Sequence, residues 1–255
     1  MSRDRTYRAV IRGLRVVFAA LGLRIDLRGA EHLPTQGGAV VAANHTGYLD
    51  FALVGYVGAE RGRHVRFLAK SGIFENRISG WAMRAMGHVP VDRVQGAGAL
   101  RQATRLAAAG EVVGVFSEGT ISRSWLVKPL APGVAAMAIA AGVPLVPMVT
   151  FGGHRLLTVD RMGDLRRRTP VSIRVGAPLH PAPGEDAHAL TLRLHDRLDE
   201  LVEETIEEYP RTGHDGAWWL PARWGGSAPR LEDAARLDAD GLARMAARRR
   251  RKALS

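Results

Sequence analysis

The 255-residue chain contains no cysteine. That absence excludes disulfide bridges, cysteine-ligated zinc and a cysteine nucleophile, and it fits a reducing compartment such as the cytosol. Lysine is scarce too: among 36 basic residues only Lys70, Lys128 and Lys252 are lysines. Arginine dominance can reflect genome composition, so by itself it names no function. Long apolar runs are also missing, and no window approaches the ~20 apolar residues of a membrane span. The longest early run, VVFAALGL at residues 16–23, follows several arginines and in that respect resembles a short signal peptide. Arg24, Asp26 and Arg28 follow at once with no small-x-small cleavage site, so the segment reads as retained.

A hydrophobic fraction of 46% can build a large core, and the length suits one sizeable domain or two small ones. The formal charge of +11 favours an anionic partner: nucleic acid, an anionic membrane surface or a phosphorylated substrate. In the first stretch, Arg5, Arg8, Arg12 and Arg15 recur at helical spacing, and Tyr7, Val10, Ile11, Leu14, Val17, Phe18 and Leu21 fill the remaining surface. Such a helix has two readings. It lies in a membrane interface with arginines on the headgroups, or it packs on the domain with its arginines solvated.

Beyond it, strand and helix alternate. RIDLR, AVVAA, VRFLA, HVPV, VVGVF, PLVPMVT and VSIRV read as strands. Residues 48–60, 73–86, 96–109, 132–141 and 187–208 read as helices, the fourth opened by Pro132 and closed by Gly142. The alternation predicts an α/β fold with a mixed, largely parallel sheet flanked by helices, preceded by the amphipathic helix and followed by a helical tail. The expected division is an interface helix over 1–23, a main domain over 24–216, and a connector with a basic tail over 217–255. In the connector, Trp218, Trp219 and Trp224 either anchor at a headgroup layer or staple the tail to the domain.

Two stretches carry candidate chemistry. In NHTGYLD, residues 44–50, His45 and Asp50 follow a buried strand. Residues five apart point about 140° apart on a continuous helix and cannot meet there. A turn at Thr46–Gly47, with the helix beginning near Tyr48, lets Asp50 reach back to one ring nitrogen of His45. A carboxylate so placed orients a general base; the same residues also serve in a turn or cap. In VFSEGTISRS, residues 115–124, another buried strand releases Ser117, Glu118, Gly119 and Thr120. Both segments leave strand C-termini, the rim where open α/β sheets bind ligands. The nucleophile-elbow pattern G-x-S-x-G is not met around Ser117, because Gly114 stands one place too far away. In GHVPVDR, residues 87–93, Arg93 ends a short strand and suits either a phosphate or a surface ion pair. VPLVP, residues 143–147, reads as a buried strand with rigid ends.

Taken in order and spacing, NHTGYLD, GHVPVDR, FSEGT and VPLVP resemble the four blocks of the glycerophospholipid acyltransferase family, in its 1-acyl-glycerol-3-phosphate acyltransferase branch. RGAEHLP and FLAKSGIF agree, and the resemblance spans residues 24–180. It implies transfer of a fatty acyl group from acyl-CoA or acyl-carrier protein, as co-substrate and without a cofactor or metal, to a hydroxyl of a glycerol phosphate or lysophospholipid, most directly 1-acyl-glycerol-3-phosphate; another lysolipid or glycolipid acceptor, or a transacylase or hydrolase on the same site, is the alternative. It makes His45 the general base and Asp50 its orienting carboxylate. It assigns substrate binding to Arg93, Glu118, Gly119 and Thr120, with Lys70 in FLAKSGIF beside them, and puts the VPLVP block on the acyl side. Glu118, itself negative, is expected to hold the acceptor's hydroxyl or to orient an arginine. The enzyme would sit at the cytoplasmic face of an anionic membrane, peripheral or monotopic, which accounts for the basic charge without nucleic acid. Against the family's FPEGTR this chain has FSEGTI, so Ser117 replaces proline and Ile121 replaces arginine. One expected phosphate-binding charge is absent from its usual place, and Arg123 and Lys128 are the candidates to replace it. The downstream phenylalanine–lysine pair is here Leu130–Ala131.

Overall fold

The computed structural model describes residues 3–91, 96–161, 167–210 and 215–253. Seven strands form one sheet: β1 (Arg24–Arg28), β2 (Ala39–Ala43), β3 (Val65–Lys70), β4 (Val89–Val91), β5 (Val112–Phe116), β6 (Leu145–Phe151) and β7 (Pro170–Val175). Their order is β1-β7-β6-β2-β5-β3-β4. Among the described strands only the β6–β7 pair is antiparallel. Each strand lies where its apolar run predicts. Central strands of a largely parallel sheet are covered on both faces and need unbroken apolar sequence. Accordingly β2 (AVVAA) and β6 (LVPMVTF) are buried throughout. At one edge, β1 exposes its charged residues, which discourages further strand pairing.

The described residues form eight α-helices: α1 (Arg3–Ala20), α2 (Asp50–Glu60), α3 (Gly72–Glu75), α4 (Arg77–Ala85), α5 (Gly96–Ala108), α6 (Gly133–Ala141), α7 (Ala187–Glu208) and α8 (Leu231–Ala253). On one face, Ala103, Ala107, Met137, Ala138, Leu194 and Leu198, from α5, α6 and α7, pack with residues of the sheet. On the other, Ala52, Leu53, Val54 and Val57 of α2 and Phe18 of α1 pack with Val41, Val146 and Ile173. The apolar stripe of α1 is thus spent on the protein. Tyr7, Ile11 and Phe18 are buried, and the Tyr7 hydroxyl accepts the Val65 N–H at 3.0 Å. The four arginines face outward, and Val16 and Val17 remain exposed.

The helix expected over 73–86 is two helices. Its break is a cap: the Asn76 side chain accepts from the N–H groups of Ile78 and Ser79 at 3.0 and 3.2 Å, which starts α4 anew. The tryptophan-rich connector folds inward at Trp219 and Leu220, whose side chains join the larger core cluster. There Trp219 meets Tyr209 edge to face, with Arg155 over its ring.

Replacing Asn76 by Ala removes the α4 cap and leaves the fold otherwise intact. The expected cost is about 1 kcal/mol, read as a lowered midpoint in urea unfolding with an unchanged m-value.

Candidate active site

The strand register decides which segments meet. β2 runs parallel to β5 with Ala43 opposite Phe116, and parallel to β6 with Ala43 opposite Met148. The chain therefore leaves β2 and β5 side by side. Residues 44–50 and 117–120, more than sixty positions apart in sequence, become neighbours at the C-terminal rim. The two segments are bonded directly: His45 N–H donates to Glu118 Oε1 at 2.9 Å, and Ser122 N–H donates to the His45 carbonyl at 2.7 Å.

Within NHTGYLD the chain turns at Thr46–Gly47 and α2 begins at Asp50. The Asp50 carboxylate is buried and folds back over the turn. Its Oδ2 accepts from the backbone N–H groups of Thr46 (2.6 Å) and Gly47 (2.8 Å) and lies 3.0 Å from His45 Nδ1. Its Oδ1 accepts from Thr150 Oγ1 at 3.2 Å. With Nδ1 donating to Asp50, His45 presents Nε2 as an acceptor, and this nitrogen has no partner among the described residues. The ring is stacked on Phe116, with centroids 4.3 Å apart, and its side chain is 21% exposed, enough to meet a ligand. Gly47 is required by space: a Cβ there would stand 2.8 Å from the Leu157 carbonyl oxygen.

Asn44 anchors the turn to the sheet. Its amide pairs in both directions with the Thr150 backbone, at 3.1 and 2.8 Å. Thr158 Oγ1 adds a bond to the Thr46 carbonyl at 2.7 Å. Sequence reasoning singled out neither Asn44 nor Thr150. Asn44 stood inside the quoted motif, but its partner belongs to a strand a hundred residues away.

Glu118 points inward. Besides the His45 N–H bond, its Oε2 is buried with no partner among the described residues. Burial pushes its carboxyl up to about 8, against the opposing pull of the His45 N–H and the Lys128 charge. At neutral pH it is mostly uncharged. It holds the backbone of His45, and no described arginine pairs with it. Ser117 Oγ is buried and also unpartnered, so no base activates it among the described residues.

Gly119 has φ 73°, which turns the loop outward after Glu118. The Thr120 hydroxyl accepts from Lys128 Nζ at 2.5 Å. Ile121 is buried in the core cluster, so the hydrocarbon that replaces the family's arginine packs inside. Arg123 pairs with Asp160 at 2.7 Å and with Asp238 of α8, and Lys128 pairs with Asp238 at 2.8 Å. Lys70 is exposed at the end of β3, with no ion pair among the described residues. Arg93 lies outside the described residues.

A family model described as Acyltransferase matches residues 24–150. The chain is 33% identical to 1-acyl-sn-glycerol-3-phosphate acyltransferase alpha of Homo sapiens, over 80% of this chain and 71% of that protein. It is 28% identical to the 1-acyl-sn-glycerol-3-phosphate acyltransferase of Bacillus subtilis, over 76% and 96%. Against the chloroplastic LPAT1 of Arabidopsis thaliana the identity is 29%, over 71% of this chain but 49% of that protein. The chain spans half or less of the plant relatives it matches. Among solved structures, the 1-acyl-sn-glycerophosphate acyltransferase PlsC of Thermotoga maritima superposes with a TM-score of 0.69 at 23% identity, covering 81% of this chain and 82% of that one, a likeness of fold.

The Glu118 carboxyl gives the protein a defined pH dependence. Its folded pKa lies above its ordinary value of 4.5, so the folded state binds the extra proton. The stabilisation is complete below about 4.5 and is lost as pH rises through about 8. Glu118→Gln retains an acceptor for the His45 N–H and cannot titrate. Thermal melts between pH 5 and 9 are expected to fall less steeply with pH for this variant than for the wild type.

Proposed function

The chain belongs to the acyltransferase family, and we propose that within it this protein moves a fatty acyl group from acyl-CoA or acyl-carrier protein to the free hydroxyl of a lysophospholipid. The favoured acceptor is 1-acyl-glycerol-3-phosphate, and the product is then phosphatidic acid. The observation that carries the reading is the oriented His45 imidazole, held at Nδ1 by Asp50 3.0 Å away and open at Nε2. The names of the human and bacterial relatives support the acceptor.

A glycerol hydroxyl is a poor nucleophile at neutral pH. Nε2 of His45 takes its proton as the oxygen attacks the thioester carbonyl carbon. Asp50 keeps the imidazole in the required tautomer and stabilises the imidazolium that forms. The tetrahedral intermediate collapses, the carbon–sulfur bond breaks, and the imidazolium returns the proton to the departing thiolate. An ester and a free thiol result, and no acyl-enzyme intervenes. Phe116, stacked on the imidazole, keeps the ring plane fixed toward the rim. General-base catalysis of this kind contributes typically 10²–10⁴-fold.

The same rim carries apolar side chains suited to a bilayer surface. Tyr48 and Phe51 follow β2, while Ile73, Ile78 and Trp81 follow β3, and these five are 44–82% exposed. No described helix is long and apolar enough to cross a membrane. We read the rim as resting on an anionic membrane surface, where a lipid acceptor reaches His45 without leaving the interface.

His45→Ala is expected to retain the wild-type melting temperature within a few degrees and to lose at least ~10²-fold in acyl transfer, measured with labelled acyl-CoA and lysophosphatidic acid. Near-normal transfer by that variant removes the base assignment. Trp81→Glu combined with Ile78→Glu is expected to lower sedimentation with vesicles containing phosphatidic acid several-fold, while transfer to a short-chain soluble acceptor is retained; undiminished sedimentation counts against the rim as the contact.

A further inference from the structure

The two cations of the acceptor-side loop are already matched by a carboxylate from more than a hundred residues away. Asp238, on α8, accepts from Arg123 Nη1 through Oδ1 and from Lys128 Nζ through Oδ2, the latter at 2.8 Å. Lys128 also donates to Thr120 Oγ1 at 2.5 Å and lies 3.4 Å from the Ile121 carbonyl. The side chains of Arg123, Lys128 and Asp238 are 14%, 12% and 12% exposed. Two cations that share one carboxylate stand only a few ångströms apart, and in a poorly solvated place they repel unless an anion lies between them. The place therefore demands an anion. A guanidinium and an ammonium converging on one point, beside a threonine hydroxyl, also match the oxygens of a phosphate group.

The described part of the element that supplies the anion buries little of its surface. Along α8, as far as its side chains are described, Ala234, Asp238 and Gly241 face inward at helical spacing and the rest are exposed. Ala234 is fully buried. Gly241 leaves room for Arg123, whose Nη2 lies 3.7 Å from where a Cβ would stand. Among its described side chains, this helix docks through one small apolar contact and one carboxylate. Asp160, the other partner of Arg123, is 71% exposed and screened by water, so it competes weakly for the same charge.

We propose that Asp238 is an internal stand-in for the phosphomonoester of the acceptor, so that the acceptor's phosphate binds Arg123 and Lys128 only as α8 lifts away. This rests on the reading of the site as one for a phosphorylated acceptor. A tethered carboxylate competes at an effective concentration in the millimolar range, while a phosphomonoester brings close to two negative charges against its one. Asp238 then sets the acceptor affinity: it raises KM and leaves the chemical step at His45 untouched.

The full-length Asp238→Asn protein tests this, since it keeps the side-chain shape and removes the charge. Its KM for lysophosphatidic acid at saturating acyl-CoA is expected to fall on the order of tenfold, with kcat within about twofold and with inorganic phosphate inhibiting at proportionately lower concentration. In the wild type, inorganic phosphate and lysophosphatidic acid are each expected to speed hydrogen exchange of the α8 amides, and lysophosphatidylcholine, which carries no phosphomonoester, to leave it unchanged. In the Asn variant exchange is already fast and insensitive to phosphate. An unchanged or raised KM in a variant of wild-type melting temperature overturns the proposal, and so does α8 exchange that ignores phosphate in the wild type. The exchange measurement needs no turnover. Should the wild type fail to acylate lysophosphatidic acid, the acyl-transfer reading falls while phosphate-dependent exchange still decides the role of Asp238.

Discussion

One buried carboxylate organises the rim. Asp50 gathers donors from the turn (Thr46 and Gly47), from the ring of His45, and from Thr150 on a neighbouring strand. A carboxylate without such partners is costly to bury, and each hydrogen bond to a charged group contributes about 1.5–3 kcal/mol. The turn, the start of α2 and the orientation of the imidazole are therefore one constraint met at several atoms. The constraint reaches the sheet through Asn44, whose amide closes on the Thr150 backbone. It reaches the second loop through the His45 backbone, held on one side by Glu118 and on the other by Ser122. The geometry that leaves Nε2 free is the geometry that satisfies Asp50.

Charge on the neighbouring loop is balanced differently. Glu118 is kept neutral by burial, so it can support the His45 backbone without placing a second negative charge beside Asp50. Farther along, Arg123 and Lys128 are both answered by Asp238, and Arg123 also by the exposed Asp160. A chain with a net charge of +11 thus presents, at the place where a phosphorylated acceptor is expected, a local balance near neutrality. Its surplus arginines lie elsewhere, including the outward face of α1.

Much of the fold was legible because its signals are local. Apolar runs such as AVVAA announce buried strands, Pro132 and Gly142 bracket a helix, and the spacing of His45 and Asp50 demands a turn. The break at Asn76 was missed because apolar residues continue across it, and one side chain capping two amides outweighs that continuity. The sequence places Glu118 at the rim without naming its partner; the β2–β5 register brings the His45 N–H within its reach. Ile121 was read as a missing charge, and its burial in the core shows what the position gained in exchange.

By itself the sequence determined the strands, most of the helices, the turn before Asp50 and the four blocks that mark the family, because each depends on residues a few positions apart. Only the tertiary structure decided that Thr150 completes the Asp50 site, that Glu118 supports His45, and that Asp238 lies between Arg123 and Lys128. These partners are separated by 73 to 115 residues. No local pattern encodes such pairings; they arise from strand order and register, and from where a terminal helix comes to rest.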